Sequence, residues 1–353
     1  MTKRSALVTG SSGLAGGYLL AHLLEQGDWD VVAVSRRKPR LPGNYRHISA
    51  NLLDAADCRA KFANLSNVTH VFYSAFTERL DPAELLSANT DMFVNLVKTI
   101  DGVSPALEHV HLLEGTKWYG NHLGPYKTPT KEDDPRHMPP NFYYDQEDHL
   151  RQRQQGKRWT FSVLRPEAVC GYAVGNPMNL LMVIAVYAAI SKELGLPLRF
   201  PGTEAAYRAL YQITSADILA RATAWAGETE EAKNEIFNIT NGDYFRWQFM
   251  WPRIARMFEM HVAEPVPMPL AVYMADKGEL WAEMTRKYRL QSTPYEQVAA
   301  WRFGDFIFGT GFDNITSTIK ARRAGFQACI DTEDMFSNLF NDLRQKRVIP
   351  QLS

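Results

Sequence analysis

Cysteine is scarce. The 353-residue chain has three, Cys58, Cys170 and Cys329, far apart and without a Cys-x-x-Cys pair. An odd number at such spacing supplies neither a disulfide framework nor a zinc cage, and it fits the reduced thiols of a cytosolic compartment. No disulfide is expected, and the cytoplasm is the expected location. An excess of either charge is lacking too: Lys plus Arg and Asp plus Glu stand at 39 each. With no summed field of one sign to draw the chain onto nucleic acid or an anionic membrane, neither is expected as a partner. Long apolar runs are also missing. The most apolar stretch, Met178 to Ile190, has thirteen residues, whereas a bilayer span needs about 20; it reads as a buried helix. The opening Met-Thr-Lys-Arg enters a strand without the apolar core of a signal peptide, so no export is expected.

What is present is an ordinary globular composition, 45% hydrophobic and 22% charged. That length and balance suffice for a large core or for a core with a second lobe, and they exclude disordered, collagenous and fibrous chains. Ala6–Thr9 is a short apolar run, followed by a glycine-rich turn and then by Leu19, Leu20, Leu23 and Leu24 at helical spacing. Gly27 closes that helix, and the β-branched run Val31–Val34 completes a βαβ unit of about 30 residues. Further strands at 46–50, 69–74, 109–113 and 160–164 alternate with helical stretches such as 82–100, a pattern that specifies a doubly wound parallel sheet with helices on both faces. After Pro166 the alternation weakens. The expected organisation is therefore a Rossmann domain over residues 1–175 and a smaller, mostly helical substrate lobe over 176–353. The chain is expected to return to the sheet between 210 and 242, with a strand at Phe237–Ile239. The proline-rich piece 120–141 is expected to form a surface loop near the site.

Thr9-Gly10-x-x-Gly13-x-x-Gly16 sits between the first strand and an amphipathic helix. Such glycines let the backbone turn tightly, approach a pyrophosphate without an intervening Cβ, and pack helix against strand, while the helix N-terminus receives the anion. The spacing resembles that of the extended short-chain dehydrogenase/reductases. After the second strand, where an NAD enzyme places an acidic ribose reader, the chain has Ser35-Arg36-Arg37. Two guanidinium groups without an acidic partner suit a 2′-phosphate, so NADPH is expected over NADH. A solvated basic turn is the plainer alternative.

The Tyr-x-x-x-Lys pair of short-chain dehydrogenases is missing where it is needed. That spacing occurs at Tyr273 and Lys277, too far past the fifth strand to face a nicotinamide, and it is read as a decoy. Tyr143 and Tyr144 stand in the right region but have Glu147 and Asp148 four residues on. The lysine that lies just beyond the fifth strand is Lys117, in Glu114-Gly-Thr-Lys117-Trp-Tyr119.

Here the residues resemble one family, the progesterone 5β-reductase and iridoid synthase-like enone reductases. The glycine turn, Arg36-Arg37, Gly115-Thr-Lys117-Trp-Tyr119 and Asn141-Phe-Tyr143-Tyr144-Asp145 occur in that family's order. The likeness continues through Arg165-Pro166, Met178-Asn-Leu180, Val186–Ile190, Phe237–Gly242 and Phe303-Gly-Asp305. The resemblance implies a Rossmann fold and NADPH-dependent 1,4-reduction of an α,β-unsaturated carbonyl compound. Lys117 and Tyr143 are then the catalytic pair. The cofactor is expected against Thr9, Gly10, Gly13, Leu14, Ala15 and Gly16, then Arg36 and Arg37, then Asn51, Leu52 and Ser74, with Pro166 to Val169 along the nicotinamide. The family carries Asp where Asn51 stands, a departure that touches the adenine contact. Phe76, Trp118, Tyr119, Phe142, Tyr144 and Phe303 are expected to wall an apolar substrate pocket, with Trp301 as a further aromatic. His109 and His111 share a strand face but have no third ligand nearby, so packing is expected there and no metal. The expected partner is a small apolar enone, with a homodimer admitted as an assembly. Other readings on the same fold are a carbonyl reductase, a nucleotide-sugar epimerase and a non-catalytic NADPH sensor.

Overall fold

Strand β1 (Arg4–Thr9) is buried from Ser5 onward, which requires cover on both faces of its sheet. The computed structural model describes residues 4–352; Met1–Lys3, the head of the opening read as lacking a leader, and Ser353 lie outside the described residues. Helix α1 (Leu14–Gln26) follows β1 and ends at Gly27, whose φ of 79° is the left-handed cap that glycine adopts without strain. Then come β2 (Trp29–Val34), β3 (Arg46–Ile48), α2 (Ala55–Phe62), β4 (His70–Tyr73), α3 (Pro82–Val103), β5 (His109–Leu113), α4 (Phe142–Gln154) and β6 (Thr160–Pro166). The strand Glu235–Ile239 pairs in parallel with β6, so the chain does return to the sheet.

The seven strands lie in the order Glu235–Ile239, β6, β5, β4, β1, β2, β3, and every pairing is parallel. Connections run in opposite directions on either side of β1 and β4, and a doubly wound sheet opens a crevice at the carboxyl ends of its strands at that reversal. One face is covered by α1 and the helix Ala216–Glu228, with Leu19, Leu20 and Leu23 packed near Ala220 and Ala224. On the other face α2, α3 and α4 cover Leu7, Val71, Val110 and Val163.

His109 and His111 belong to this packing. His109 Nε2 and His111 Nδ1 lie 2.8 and 2.9 Å from Ser162 Oγ, and burial lowers the pKa of both imidazoles. Among the described residues no group of three or more His, Cys, Asp or Glu stands together as a metal site.

Residues beyond β6 build a second core around α5 (Leu180–Glu193). This helix is buried all round from Leu180 to Ser191 and is capped by Asn179, in agreement with the buried-helix reading of its sequence. Trp247, Trp251, Phe200 and Phe308 pack edge-on nearby, and Phe336 and Phe340 of the last helix complete the mostly helical lobe. The three cysteines are free thiols, with Cys58 and Cys170 buried and Cys329 exposed. Among the described residues no helix is long and apolar enough to cross a membrane.

Candidate active site

The glycine turn shows why each of its small residues is needed. Gly10 has a φ of 63°, and a Cβ there would fall 2.6 Å from the Ser74 carbonyl oxygen; a Cβ at Gly16 would meet the Gly10 oxygen at 2.5 Å. Neither place admits a side chain. Gly13, the N-cap of α1, makes no side-chain capping bond, so the helix offers its first N–H groups and positive dipole end to an anion. Thr9 is fully buried beneath the turn, and its hydroxyl accepts from the Ser74 amide at 3.1 Å. Thr9 and Gly16 therefore shape the loop from below, while Gly10, Gly13, Leu14, Ala15 and Ser74 line the cavity above it.

That cavity, about 640 Å³, runs along the carboxyl ends of the strands. At one end lie Arg36, Arg37, Asn51 and Leu52. Ser35 fixes the arginine turn by donating to the Arg37 carbonyl at 2.7 Å, which leaves the exposed guanidinium groups to the cavity. Among the described residues neither arginine has a carboxylate in ion-pair range. Asn51 stays near the cavity floor, where its amide N–H donates to Asp57 at 2.7 Å.

At the other end are Lys117 and Tyr143. Lys117 lies in the tight turn Thr116–Tyr119 directly after β5, and Tyr143 in the first turn of α4. One side chain ties the two segments together: Asn141 accepts from the Tyr143 N–H at 3.1 Å and donates to the Lys117 carbonyl at 2.9 Å. Gly115 leaves room for the phenol, since a Cβ there would stand 3.3 Å from Tyr143 Oη. Burial holds the Tyr143 pKa well above its ordinary value, with the Glu114 and Glu167 carboxylates adding to the effect. The phenol keeps its proton and can only donate it or share it. Burial lowers the Lys117 pKa, opposed by Glu78 and Glu167, and its ammonium sits 5.7 Å from the Phe306 ring centroid.

Three of the expected pocket walls are elsewhere. Phe76, Phe142 and Phe303 do line the cavity, but Trp118, Tyr119 and Tyr144 do not. Trp118 and Tyr119 are turned inward around the buried guanidinium of Arg165, which lies 3.6 Å from the Trp118 ring centroid and pairs with Glu114 at 2.7 Å and Glu147 at 2.8 Å, and Tyr144 packs edge-on to Trp118 at a centroid distance of 5.4 Å. Each polar tip is then occupied: Trp118 Nε1 donates to Glu147 at 3.0 Å, Tyr119 donates to Asn238 at 2.7 Å, and Tyr144 donates to the Trp118 carbonyl at 2.6 Å. The bond made by Tyr144 separates it from Tyr143, for which no such hydroxyl partner exists among the described residues. Trp301 packs against the second core and lies outside the cavity.

The loop after β5 contributes Asn121 to the cavity, and the helix Trp301–Gly309 contributes Phe306 and Ile307 beside Phe303, at helical spacing on one face. Glu167 is the residue that sequence reasoning passed over. It falls within the stretch expected along the nicotinamide but was given no role of its own, and its carboxyl is buried at the cavity wall, accepting from the Thr116 hydroxyl and from Tyr211 at 3.3 Å.

Tyr273 and Lys277 do not line this cavity. Tyr273 is exposed and Lys277 pairs with Asp276 at the surface. Lys277→Ala is accordingly expected to leave turnover close to wild type in a steady-state assay; a severe loss in the folded variant would remove the site from the sheet.

A family profile described as the PRISE-like Rossmann-fold domain matches residues 46–350. The chain belongs to this family. It is 35% identical to the 3-oxo-Δ(4,5)-steroid 5β-reductase of Arabidopsis thaliana, over 98% of this chain and 93% of that protein. It is 34% identical to an (S)-8-oxocitronellyl enol synthase of Nepeta racemosa, with the same coverage of each. Among solved structures, the UDP-glucose 4-epimerase of Thermotoga maritima superposes with a TM-score of 0.69 at 17% identity, covering 97% of this chain and 99% of that one. At that identity the match speaks for the fold alone. The matched family span begins after the glycine turn.

Proposed function

We propose that this protein binds NADPH and reduces the carbon–carbon double bond of an apolar α,β-unsaturated carbonyl compound. The observation that carries the reading is the placement of a proton-bearing phenol and an ammonium in one cavity, walled by Phe76, Phe142, Phe303 and Phe306. The two plant relatives add support: one is named for a 3-oxo-Δ(4,5)-steroid, an enone, and the other for forming an enol.

The residues present fit the cofactor. The α1 N-terminus and the side-chain-free cradle of Gly10 and Gly16 would take the pyrophosphate, Arg36 and Arg37 the 2′-phosphate, Asn51 and Leu52 the adenine end, and Pro166 to Val169 the nicotinamide. When bound, it supplies a hydride for the β-carbon of the substrate. The protein must then hold the negative charge that gathers on the carbonyl oxygen. Tyr143 donates a hydrogen bond to that oxygen and Lys117 places a positive charge beside it, both fixed in advance by Asn141, and such preorganised donors are where electrostatic stabilisation is strongest. The aromatic wall orients the apolar body of the substrate and excludes water.

Two results are expected. Arg36→Ala/Arg37→Ala should weaken NADPH far more than NADH in direct binding titrations, whereas equal losses would show that the arginines do not meet the 2′-phosphate. Lys117 loses its charge as pH rises, and burial brings that loss below the ordinary value of 10.5. Turnover should therefore fall on an alkaline limb below that pH, and the limb should vanish in Lys117→Met, whose residual rate is flat there. The reading itself is tested by NADPH oxidation across a panel of enones with identification of products.

A further inference from the structure

Enone reduction is incomplete when the hydride has arrived. The enolate must still gain a proton at its α-carbon, and neither Lys117 nor Tyr143, both directed at the carbonyl oxygen, is assigned to that step. Among the described residues, three carboxylates line the cavity: Glu78, Glu114 and Glu167. Glu78 is exposed. Glu114 is clamped by the Arg165 guanidinium at 2.7 Å. Glu167 differs from both, because it is 4% exposed and its hydrogen bonds come from neutral donors: the hydroxyls of Thr116 and Tyr211, the Ala168 amide and the Asn314 side chain.

We propose that Glu167 is the acid that protonates the enolate at its α-carbon, so that the saturated carbonyl compound is released with one handedness. The inference rests on the enone-reductase reading. Glu167 follows Pro166 at the end of β6 and shares the cavity wall with Pro166, Ala168 and Val169, the stretch assigned to the nicotinamide. Its charge acts on both the Lys117 ammonium and the Tyr143 phenol, and all three residues line the one cavity. The α-carbon lies two bonds from that oxygen. Burial raises the carboxyl pKa, partly offset by its hydrogen bonds, and so favours the proton-bearing form. The step balances: the carboxyl O–H bond breaks, the electron pair of the enolate double bond forms the new C–H bond, and the carbonyl is restored. Glu167 is left as a carboxylate, which regains a proton from water once the product has gone.

The test uses the full-length protein, NADPH and α-methylcyclohexenone, whose α-carbon becomes a stereocentre, with the enantiomers of the saturated ketone resolved on a chiral column. Wild type is expected to give one enantiomer. Glu167→Gln, which keeps the shape but has no acid proton, is expected to oxidise NADPH more slowly and to lose most of the enantiomeric excess. Glu167→Asp, an acid on a shorter arm, is expected to restore an excess of the same enantiomer. Unchanged excess in Glu167→Gln, or a racemic product from wild type, overturns the assignment while leaving enone reduction standing. An allylic alcohol, or no NADPH oxidation with any enone, overturns both.

Discussion

Tyr143→Phe is expected to lower enone turnover by about 10²–10³-fold, the usual cost of removing one donor from an oxyanion site. The substitution keeps the ring, and with it the contact to Phe142 at a centroid distance of 4.4 Å. It removes the hydroxyl alone. Cofactor affinity should change little, because the glycine turn and the arginines lie at the other end of the cavity. Enals should suffer less than ketones, since the charge that develops on an activated aldehyde needs less support. The comparison that decides the assignment is Tyr144→Phe. That hydroxyl bonds the Trp118 carbonyl at 2.6 Å and accepts from the His137 amide at 3.0 Å, so its loss should appear as reduced stability with much of the turnover retained. Steady-state rates of both folded variants measure this directly; a dead Tyr144→Phe beside a wild-type-like Tyr143→Phe reverses the roles.

Arg165→Met should destabilise the fold by about 3–5 kcal/mol, because it leaves the Glu114 carboxylate uncompensated in the interior and takes from Glu147 one of its two arginine partners, the other being Arg151 at 2.8 Å. The guanidinium is wholly buried, and the Glu114 carboxyl pKa is already pushed up to about 7 by burial in spite of it. Without the arginine the Glu114 carboxyl would favour protonation further, so the deficit should shrink as pH falls and grow as it rises. An exposed pair provides the contrast. Arg136 and Asp148 are 2.6 Å apart but largely in water, and Arg136→Met should cost about 0–1 kcal/mol. Urea denaturation of the three proteins distinguishes the cases, and equal midpoints for both variants would contradict the buried-network account.

How much of this could be read from the chain depended on whether the information was local. The glycine turn was legible because strand, turn and helix adjoin in sequence, and the sheet because its apolar runs alternate with helical periods. Lys117 was not legible from spacing. It meets Tyr143 through the side chain of Asn141, and only the family resemblance joined segments 26 residues apart. Trp118, Tyr119 and Tyr144 were placed on the wrong wall because amphipathic rings can bury either way; Trp118 and Tyr119 turn inward to an arginine at the end of β6, and Tyr144 follows by packing on Trp118. Phe306 carried a usable signal, one helical turn beyond Phe303, that a reading by motif passed over. Glu167 carried none. A glutamate is usually solvated, and its burial beside Thr116 and Tyr211 exists only in three dimensions.

The central claim is that hydride reaches the β-carbon of an enone in a site built from Lys117 and Tyr143. NADPH deuterated at the transferable position, incubated with the protein and a simple enone, traces that atom in the product by NMR. The expected result is a saturated ketone with deuterium on the β-carbon, formed by wild type and nearly lost in Tyr143→Phe. Deuterium on the carbinol carbon of an allylic alcohol would contradict the account.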